Sequence, residues 1–112
     1  MRIDENELFE LHADFCKILS SSKRLMIIQL LARKEMNVSE ISKALKIQPS
    51  NVSQHLRVLR SRYVVESHKE GQTVYYRLTR SKLAEVCAEI RSILLEGMEQ
   101  RGKKAKGLIK KR

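Results

Sequence analysis

Several residue types that mark other classes of protein are scarce or missing in this sequence. Its 112 residues include no tryptophan, five aromatic residues, one proline and four glycines, so long irregular loops are not expected. No apolar run approaches the ~20 residues that a membrane-spanning helix needs, and the acidic N-terminus is unlike a secretory signal peptide. The two cysteines form no zinc-ribbon or redox spacing motif. These absences predict a cytoplasmic chain that acts without a membrane anchor, a cofactor or a conventional metal centre.

Positive charge is what the chain has in excess. The net charge is +10, which favours a polyanionic partner, with nucleic acid ahead of an acidic membrane. Residues 101–112 hold seven Lys and Arg and no acid, so the first hundred residues carry only three of the ten net charges. Because blocks of like charge repel, residues 102–112 are predicted to be a flexible basic tail, and residues 1–101 a single domain.

The spacing of apolar residues predicts four helices in the first 61 residues. The stripe over 7–19 gives the first, and the serines at 20–22 offer a cap for a second, which ends near residue 34 or 35. Asn37 followed by Glu40 is typical of a capping box and predicts a short third helix. Pro49 suits the first position of a fourth helix over 49–61, since its missing N–H costs nothing there. Two short helices joined by a tight turn at 46–49 predict a helix-turn-helix.

After residue 60 the periodicity changes from 3.6 to 2. Residues 63–68 and 73–78 are rich in β-branched and aromatic side chains and predict two strands, with a turn over 69–72 in which Gly71 can adopt positive φ. Thr79 or Ser81 is expected to cap a long final helix that carries apolar residues from Leu83 to Met98. The predicted fold is therefore mainly α with a small β-hairpin, ordered α-α-α-α-β-β-α: a winged helix-turn-helix.

The helix predicted over 49–61 has a polar face of unusual composition. Val52, Leu56 and Leu59 form its inward stripe, and the segment 48–60 contains no acid. Amide, hydroxyl and guanidinium groups without carboxylates suit the electronegative major groove of DNA, although an ordinary solvated helix can show the same pattern. The capped helix before this segment and the predicted wing after it favour the DNA interpretation.

The order of elements and four segments resemble the ArsR/SmtB family of winged-helix repressors. The matching segments are 18–28 (ILSSSKRLMII), 38–41 (VSEI), 52–59 (VSQHLRVL) and 71–78 (GQTVYYRL). The resemblance implies a homodimer held by the first and last helices, and such a dimer predicts an inverted-repeat operator in double-stranded DNA. The family usually has Gly where Tyr63 stands, at the end of the recognition helix. Because a left-handed Tyr is disfavoured, the helix is predicted to end a residue or two elsewhere.

In a winged helix the N-terminal half of the recognition helix enters the major groove. The predicted base contacts lie there and come from Gln48, Ser50, Asn51, Ser53 and Gln54. The predicted phosphate contacts carry hydroxyl or guanidinium groups and come from Ser39, Arg57 and Arg60. His55 is expected to bind a phosphate or to pack beneath the helix. Lys69 at the wing tip and Arg77 at its base are expected to meet the DNA backbone or the adjacent minor groove.

The resemblance also raises the question of an effector, which the sequence does not name. Members of this family commonly bind a metal on the helix that opens the helix-turn-helix or on the last helix. Here residues 37–45 contain no Cys or His, and the last helix contains no His or Asp, so neither customary site is expected. Cys16 and Cys87 leave three interpretations open: a redox pair, a metal site completed by His12, or two buried core residues.

Other classes of function fit the sequence less well. An enzyme is not expected, because the three histidines lie on different predicted elements and no carboxylate pair or Gly-rich phosphate loop accompanies them. The main alternative to a sequence-specific transcriptional regulator is a sequence-tolerant nucleic-acid or chromatin-associated protein that binds mainly through its basic tail. The acid-free segment 48–60 argues against a winged helix used only for protein contacts.

Overall fold

The computed structural model describes residues 2–102, so the predicted tail from residue 103 onward lies outside the described residues. The elements are α1 (Glu5–Ile18), α2 (Ser22–Arg33), β1 (Met36–Asn37), α3 (Val38–Leu45), α4 (Pro49–Ser61), β2 (Val65–Glu70), β3 (Thr73–Leu78) and α5 (Lys82–Gln100). The chain divides into two compact units, Met1–Ser81 and the segment that begins at Lys82. Among the described helices, none has the length and apolar content that would let it cross a membrane.

Side-chain caps set the starts of the first three helices, α1, α2 and α3. At α3 the Asn37 N–H donates to Glu40 Oε1 at 2.9 Å, and the Glu40 N–H donates to Asn37 Oδ1 at 2.8 Å, which confirms the predicted capping box. Ser21 caps α2 by accepting from the Arg24 N–H, as the serine run predicted. A second capping box, built on Asp4 at the start of α1, was not predicted. These caps satisfy N–H groups that have no partner within the first helical turn.

Aliphatic side chains from the end of α1, from α2, α3 and α4, and from residues 64 and 65 form the core of the first unit. The buried set comprises Ile18, Ile27, Ile28, Leu31, Ile41, Val52, Leu56, Leu59, Val64 and Val65. α2 contributes three of these residues and packs against α3, α4 and β3, so its predicted central place is confirmed. Full burial of each such side chain stabilises the fold by roughly 1.5–3 kcal/mol. Three of these residues lie on α4, so their burial determines which face of α4 points inward.

The predicted hairpin forms, and a third strand joins it. β2 and β3 pair from Val65 opposite Leu78 to Glu70 opposite Thr73, so the loop is shorter than predicted, and Gly71 has φ +61° within it. β1 pairs with β3 in a sheet of order β1-β3-β2. β1 was not predicted from the sequence, because two residues show no periodicity and their partner strand lies some 40 residues further along the chain.

The end of α4 differs from the sequence-based expectation. The Val64 N–H donates to the Leu59 carbonyl at 2.9 Å and the Tyr63 N–H to the Arg60 carbonyl at 3.0 Å, the two hydrogen bonds of a Schellman motif. Tyr63 occupies its left-handed position with φ +60°. The predicted displacement of the helix end is therefore wrong. Leu59 and Val64 are both buried, and their packing together with the two hydrogen bonds holds Tyr63 in a disfavoured conformation.

α5 forms the second unit and runs through Gly97 to Gln100. It begins after Ser81, while the hydroxyl of the other predicted cap, Thr79, donates to the Tyr63 carbonyl at 2.5 Å. Five of its large aliphatic side chains are between 46% and 64% exposed: Val86, Ile90, Ile93, Leu94 and Leu95. The apolar stripe that the sequence predicted is therefore present but largely uncovered in the single chain.

Candidate nucleic-acid interface

The turn between α3 and α4 is held by its own side chains and backbone. The Lys46 backbone takes a left-handed conformation (φ 57°, ψ 45°) and its N–H donates to the Ser42 carbonyl. The Ser42 hydroxyl donates to the Ile47 carbonyl at 2.5 Å. Pro49 occupies the first turn of α4, as predicted, and the side chain of Gln48 makes no cap bond. These contacts fix the helix-turn-helix geometry and leave the Gln48 amide uncommitted to the cap.

The outward face of α4 carries the residues that the sequence proposed as DNA contacts. Val52, Leu56 and Leu59 are at most 1% exposed, so the helix can present only its other face. The side chains proposed for this face are all exposed: Gln48, Ser50, Asn51, Ser53, Gln54, Arg57 and Arg60. Ser39, at the start of α3, is exposed as well. Neither Arg57 nor Arg60 forms an ion pair with an acid of the described residues, so both guanidinium groups can meet an external anion.

A cleft of about 190 Å³ lies between α4 and β3. It is lined by Ser53, Leu56, Arg57, Arg60 and Tyr76. These residues include two with guanidinium groups and two with hydroxyl groups, and such groups can donate hydrogen bonds to an oxyanion such as a phosphate. Tyr76 was not among the predicted contacts. Its place on a strand was predictable, but its approach to α4 depends on how the sheet packs against the helices.

The two basic residues of the wing have different surroundings. Lys69 is exposed and lies opposite Val74 near the end of the hairpin. The Arg77 guanidinium instead donates to Glu66 Oε2 at 2.8 Å and to Glu35 Oε2 at 3.5 Å. The hydrogen bond to Glu66 and its negative charge raise the pKa of Arg77, with a smaller contribution from Glu35. A DNA phosphate would compete with two carboxylates for Arg77, whereas Lys69 is free of such partners among the described residues.

Glu35 joins Arg77 to a second group on the wing. His68 Nε2 lies 3.2 Å from Glu35 Oε1 and 3.4 Å from Glu70 Oε1, and its ring stacks on Tyr75 with centroids 6.0 Å apart. Glu35 directly precedes β1, so its carboxylate ties the wing to the segment that follows α2. This network was not predictable from the sequence, because its members come from three separate segments of the chain.

His55 faces α2 rather than the open side of α4. Its Nδ1 lies 3.4 Å from Nη1 of Arg24, which is on the first turn of α2. Burial lowers the pKa of His55, and the nearby positive charges of Arg24 and Lys23 lower it further. The expectation that His55 packs beneath the helix therefore has a structural counterpart, and its expected phosphate contact stays a prediction.

The residues proposed for sensing lie on α1 and α5. Cys16 is exposed on α1, Cys87 is buried on α5, and both are free thiols. His12, the third proposed ligand, is exposed on α1. Among residues 2–102, no three His, Cys, Asp or Glu side chains are grouped closely enough to hold a metal ion. A role for the cysteines in sensing stays a prediction.

Comparison with known proteins identifies the family. A family model described as bacterial regulatory protein, arsR family, matches residues 21–67, which run from the cap of α2 into β2. The uncharacterized HTH-type transcriptional regulator Rv0081 of Mycobacterium tuberculosis is 31% identical over 100 residues, 88% of either chain. Its crystal structure superposes with a TM-score of 0.76 and covers 84% of this chain and 95% of that one. This chain belongs to the ArsR family.

Two further relatives support the same conclusion. The transcriptional repressor SmtB homolog of Synechocystis is 34% identical over 84 residues, 75% of this chain and 64% of the homolog. The homodimeric winged helix-turn-helix DNA-binding domain of Mb0332 from Mycobacterium bovis is 29% identical, covers 89% of this chain and 93% of that domain, and has a TM-score of 0.75. The chain is thus a winged helix-turn-helix member of a family of DNA-binding transcriptional regulators, which are not enzymes.

Proposed function

We propose that this ArsR-family protein is a repressor that binds an inverted-repeat operator as a homodimer and reads bases through α4. The observation that carries the proposal is the outward face of α4, which is exposed, free of acids and fixed in direction by a fully buried apolar stripe. Such a face offers many donors and few charges that a DNA groove would repel. Such a repressor acts by occupying its operator, and repression of this kind involves no catalytic step.

The contacts divide into those that read sequence and those that position the protein. Gln48, Asn51 and Gln54 carry amides, which pair well with adenine, and Ser50 and Ser53 can bond to either type of base edge. Arg57, Arg60 and Tyr76 line one cleft, and in this scheme they bind one backbone phosphate there. Ser39 and Lys69 add positioning contacts at the start of α3 and on the wing. Arg77 acts in this scheme mainly by holding the wing, because Glu66 and Glu35 already engage it.

The homodimer is supported by apolar surface on the two terminal helices. α1 exposes Leu8, Phe9 and Leu11 at between 53% and 65%, and α5 exposes the five aliphatic side chains named above. Uncovered apolar surface of this extent is typical of an interface. The related Mb0332 domain is itself homodimeric. A symmetric dimer would set two copies of α4 about one helical turn of DNA apart, near 34 Å, and would thus require an inverted repeat.

The proposal is tested by comparing two substitutions on an operator obtained by selecting bound fragments from genomic DNA. Gln54→Ala should cost about 1–3 kcal/mol on the operator and relax discrimination at one base pair, because it removes a base contact. Lys69→Ala should weaken binding to all sequences alike and reduce the salt slope by about one, because it removes a phosphate contact. Affinity is measured by fluorescence anisotropy on the operator and its single-base variants at several salt concentrations.

Two outcomes would contradict the assignment. If Gln54→Ala and Lys69→Ala had the same profile across operator variants, α4 would not be the reading element. If a chain that ends at residue 101 lost its preference for the operator along with most of its affinity, the alternative of binding through the basic tail would be favoured. A sequence-specific regulator keeps that preference after truncation, since the loss of tail charges weakens all DNA sequences alike.

Thiol responsiveness is a separate part of the proposal. Cys16 is exposed and Cys87 is buried, so an oxidant should reach Cys16 first. Thiol titration before and after peroxide treatment, run alongside operator binding, would test whether oxidation releases the DNA. Unchanged operator affinity after complete oxidation of Cys16 would remove the thiol switch and leave the rest of the proposal intact.

A further inference from the structure

Arg24 lies outside the helix-turn-helix but contacts the recognition helix α4. Its Nη1 is 3.4 Å from His55 Nδ1. The Arg24 Nε donates to the carbonyl of Ile18, at the end of α1, at 2.5 Å. The backbone N–H of Arg24 donates to the Ser21 hydroxyl. The guanidinium is therefore anchored by the α1–α2 junction on one side and reaches the middle of α4 on the other.

The chemistry of the contact determines where the proton of His55 resides. A guanidinium has only donors, so the Arg24–His55 hydrogen bond requires His55 Nδ1 to accept. A neutral imidazole that accepts at Nδ1 carries its proton on Nε2. Burial lowers the pKa of His55, and the charges of Arg24 and Lys23 lower it further, which favours the neutral ring. The contact thus selects one tautomer and opposes the charged form.

The position of His55 on α4 makes the Nε2–H of this tautomer a candidate donor to DNA. His55 is half-buried and lies between the buried residues Val52 and Leu56 and the exposed Asn51 and Gln54. The two nitrogens lie on different edges of the imidazole ring, so a ring held at Nδ1 by α2 turns Nε2–H away from Arg24. An N–H group at the boundary of the DNA-facing surface is suited to bond a phosphate oxygen.

We propose that Arg24 is a positioning residue for DNA binding, which holds the His55 ring so that its Nε2–H is presented as a donor to the DNA backbone. This rests on the proposed function, since it requires α4 to approach DNA. The donor is neutral, so it orients the protein on the backbone without releasing a counterion. Replacement of His55 should therefore weaken operator binding without changing the salt slope, unlike replacement of Lys69.

The first test is made on the protein without DNA. Two-bond ¹H–¹⁵N correlation spectra of the imidazole at pH 7 should show His55 as the Nε2–H tautomer in the wild-type chain. In Arg24→Met the spectra should show a mixture of tautomers, because the donor to Nδ1 is gone. Lys23→Met is the matched control: it removes a neighbouring charge but no hydrogen bond to His55, so the tautomer should stay as in the wild type. A charged ring, an Nδ1–H tautomer in the wild type, or an unchanged tautomer in Arg24→Met would overturn the proposal.

The second test is a double-mutant cycle on operator affinity. Arg24→Met and His55→Phe should each weaken operator binding by about tenfold, which corresponds to the loss of about one hydrogen bond. The double variant should lose little more affinity than either single variant. Lys23→Met combined with His55→Phe should instead give additive losses. Additive losses for Arg24→Met and His55→Phe would mean that Arg24 only supports the fold, and would overturn the proposal. If Arg24→Met does not fold, Arg24→Gln takes its place, and the wild-type spectra decide by themselves.

The pH dependence of folding gives a third measurement, with a defined sign. The pKa of His55 in the folded chain lies below its ordinary value of 6.5, so the unfolded chain binds more protons in the interval between the two values. The free energy of unfolding should therefore fall as the pH falls below about 6.5. His55→Phe should remove this component, and Arg24→Met should reduce it, since one of the charges that lower the pKa is absent. An identical pH dependence in His55→Phe and the wild type would contradict the protonation assigned to His55.

These tests separate the two proposals. If the wild-type chain selects no operator, the proposed function fails whatever the tautomer of His55. If it selects an operator but His55 is charged, carries its proton on Nδ1 or keeps the same tautomer in Arg24→Met, only the positioning role fails.

Discussion

α4 and α5 are similar in sequence, because each is a helix with an apolar stripe. In the structure, the stripe of α4 is buried and the stripe of α5 is largely exposed. The three stripe residues of α4 are at most 1% exposed. Five large aliphatic residues of α5 keep about half or more of their surface exposed. The apolar stripe of α4 is thus fully buried within one chain, and the outward face of the helix is free to contact a polar partner. α5 still has apolar surface to cover, and a second copy of the chain would cover it.

The largest expected effect comes from placing a charge on the exposed stripe of α5. Ile93→Glu would put a carboxylate into the proposed interface twice, once from each copy, and uncompensated burial of a charge costs several kcal/mol. We expect dimer affinity to fall by at least about a hundredfold, measured by sedimentation equilibrium. Operator affinity should fall with it, because a monomer contacts only one half-site. Glu96→Ala on the same helix is the control and should leave the dimer unchanged; a dimer that survives Ile93→Glu would exclude this face from the interface.

Truncation of one leucine on each helix sharpens the comparison. Leu56→Ala should lower the free energy of unfolding by about 2–5 kcal/mol, because Leu56 is 1% exposed and a cavity remains. Leu94→Ala should lower it far less, because Leu94 is already 59% exposed. Both are measured by urea unfolding in the Ile93→Glu background, so that dimerisation does not contribute. Equal losses would mean that α5 is covered within the monomer after all.

The smallest expected effect concerns the end of α4. Tyr63→Gly should raise the free energy of unfolding by about 1 kcal/mol, because glycine accepts the left-handed conformation without a Cβ clash. The side chain of Tyr63 is 83% exposed, so little packing is lost. Tyr63→Ala is the control, since it removes the ring but keeps Cβ, and it should not stabilise the chain. If the Gly and Ala variants had equal stability, φ +60° would not be the source of the strain.

Local patterns in the sequence were enough to predict most of this fold. The capping box of Asn37 and Glu40, the serine cap of α2 and the helix entry at Pro49 depend only on neighbours three residues apart or fewer. The same holds for the alternation in β2 and β3. The composition of the α4 face followed from its helical period, which is why the residues proposed as DNA contacts on α4 are exposed, with the exception of the half-buried His55.

What the sequence could not predict depends on contacts between distant segments. β1 exists only through its pairing with β3, and the network of Glu35, His68 and Arg77 joins residues from separate elements. The contact between Arg24 and His55 spans 31 residues of chain. The end of α4 was predicted wrongly because the local preference of Tyr63 was weighed without the buried side chains on either side of it.

The placement of β1 has a mechanical consequence for the wing. β3 is hydrogen-bonded on both sides only where β1 reaches it, at Tyr75 and Tyr76. Beyond that point, toward Thr73 and the Gly71 turn, the wing is a two-stranded ribbon, which has little stability of its own. The wing is thus fixed at its base and compliant at its end, close to Lys69. In the proposed complex, a contact carried on such an end would follow the DNA backbone as its groove width varies, while the angle at which α4 enters the major groove would stay constant.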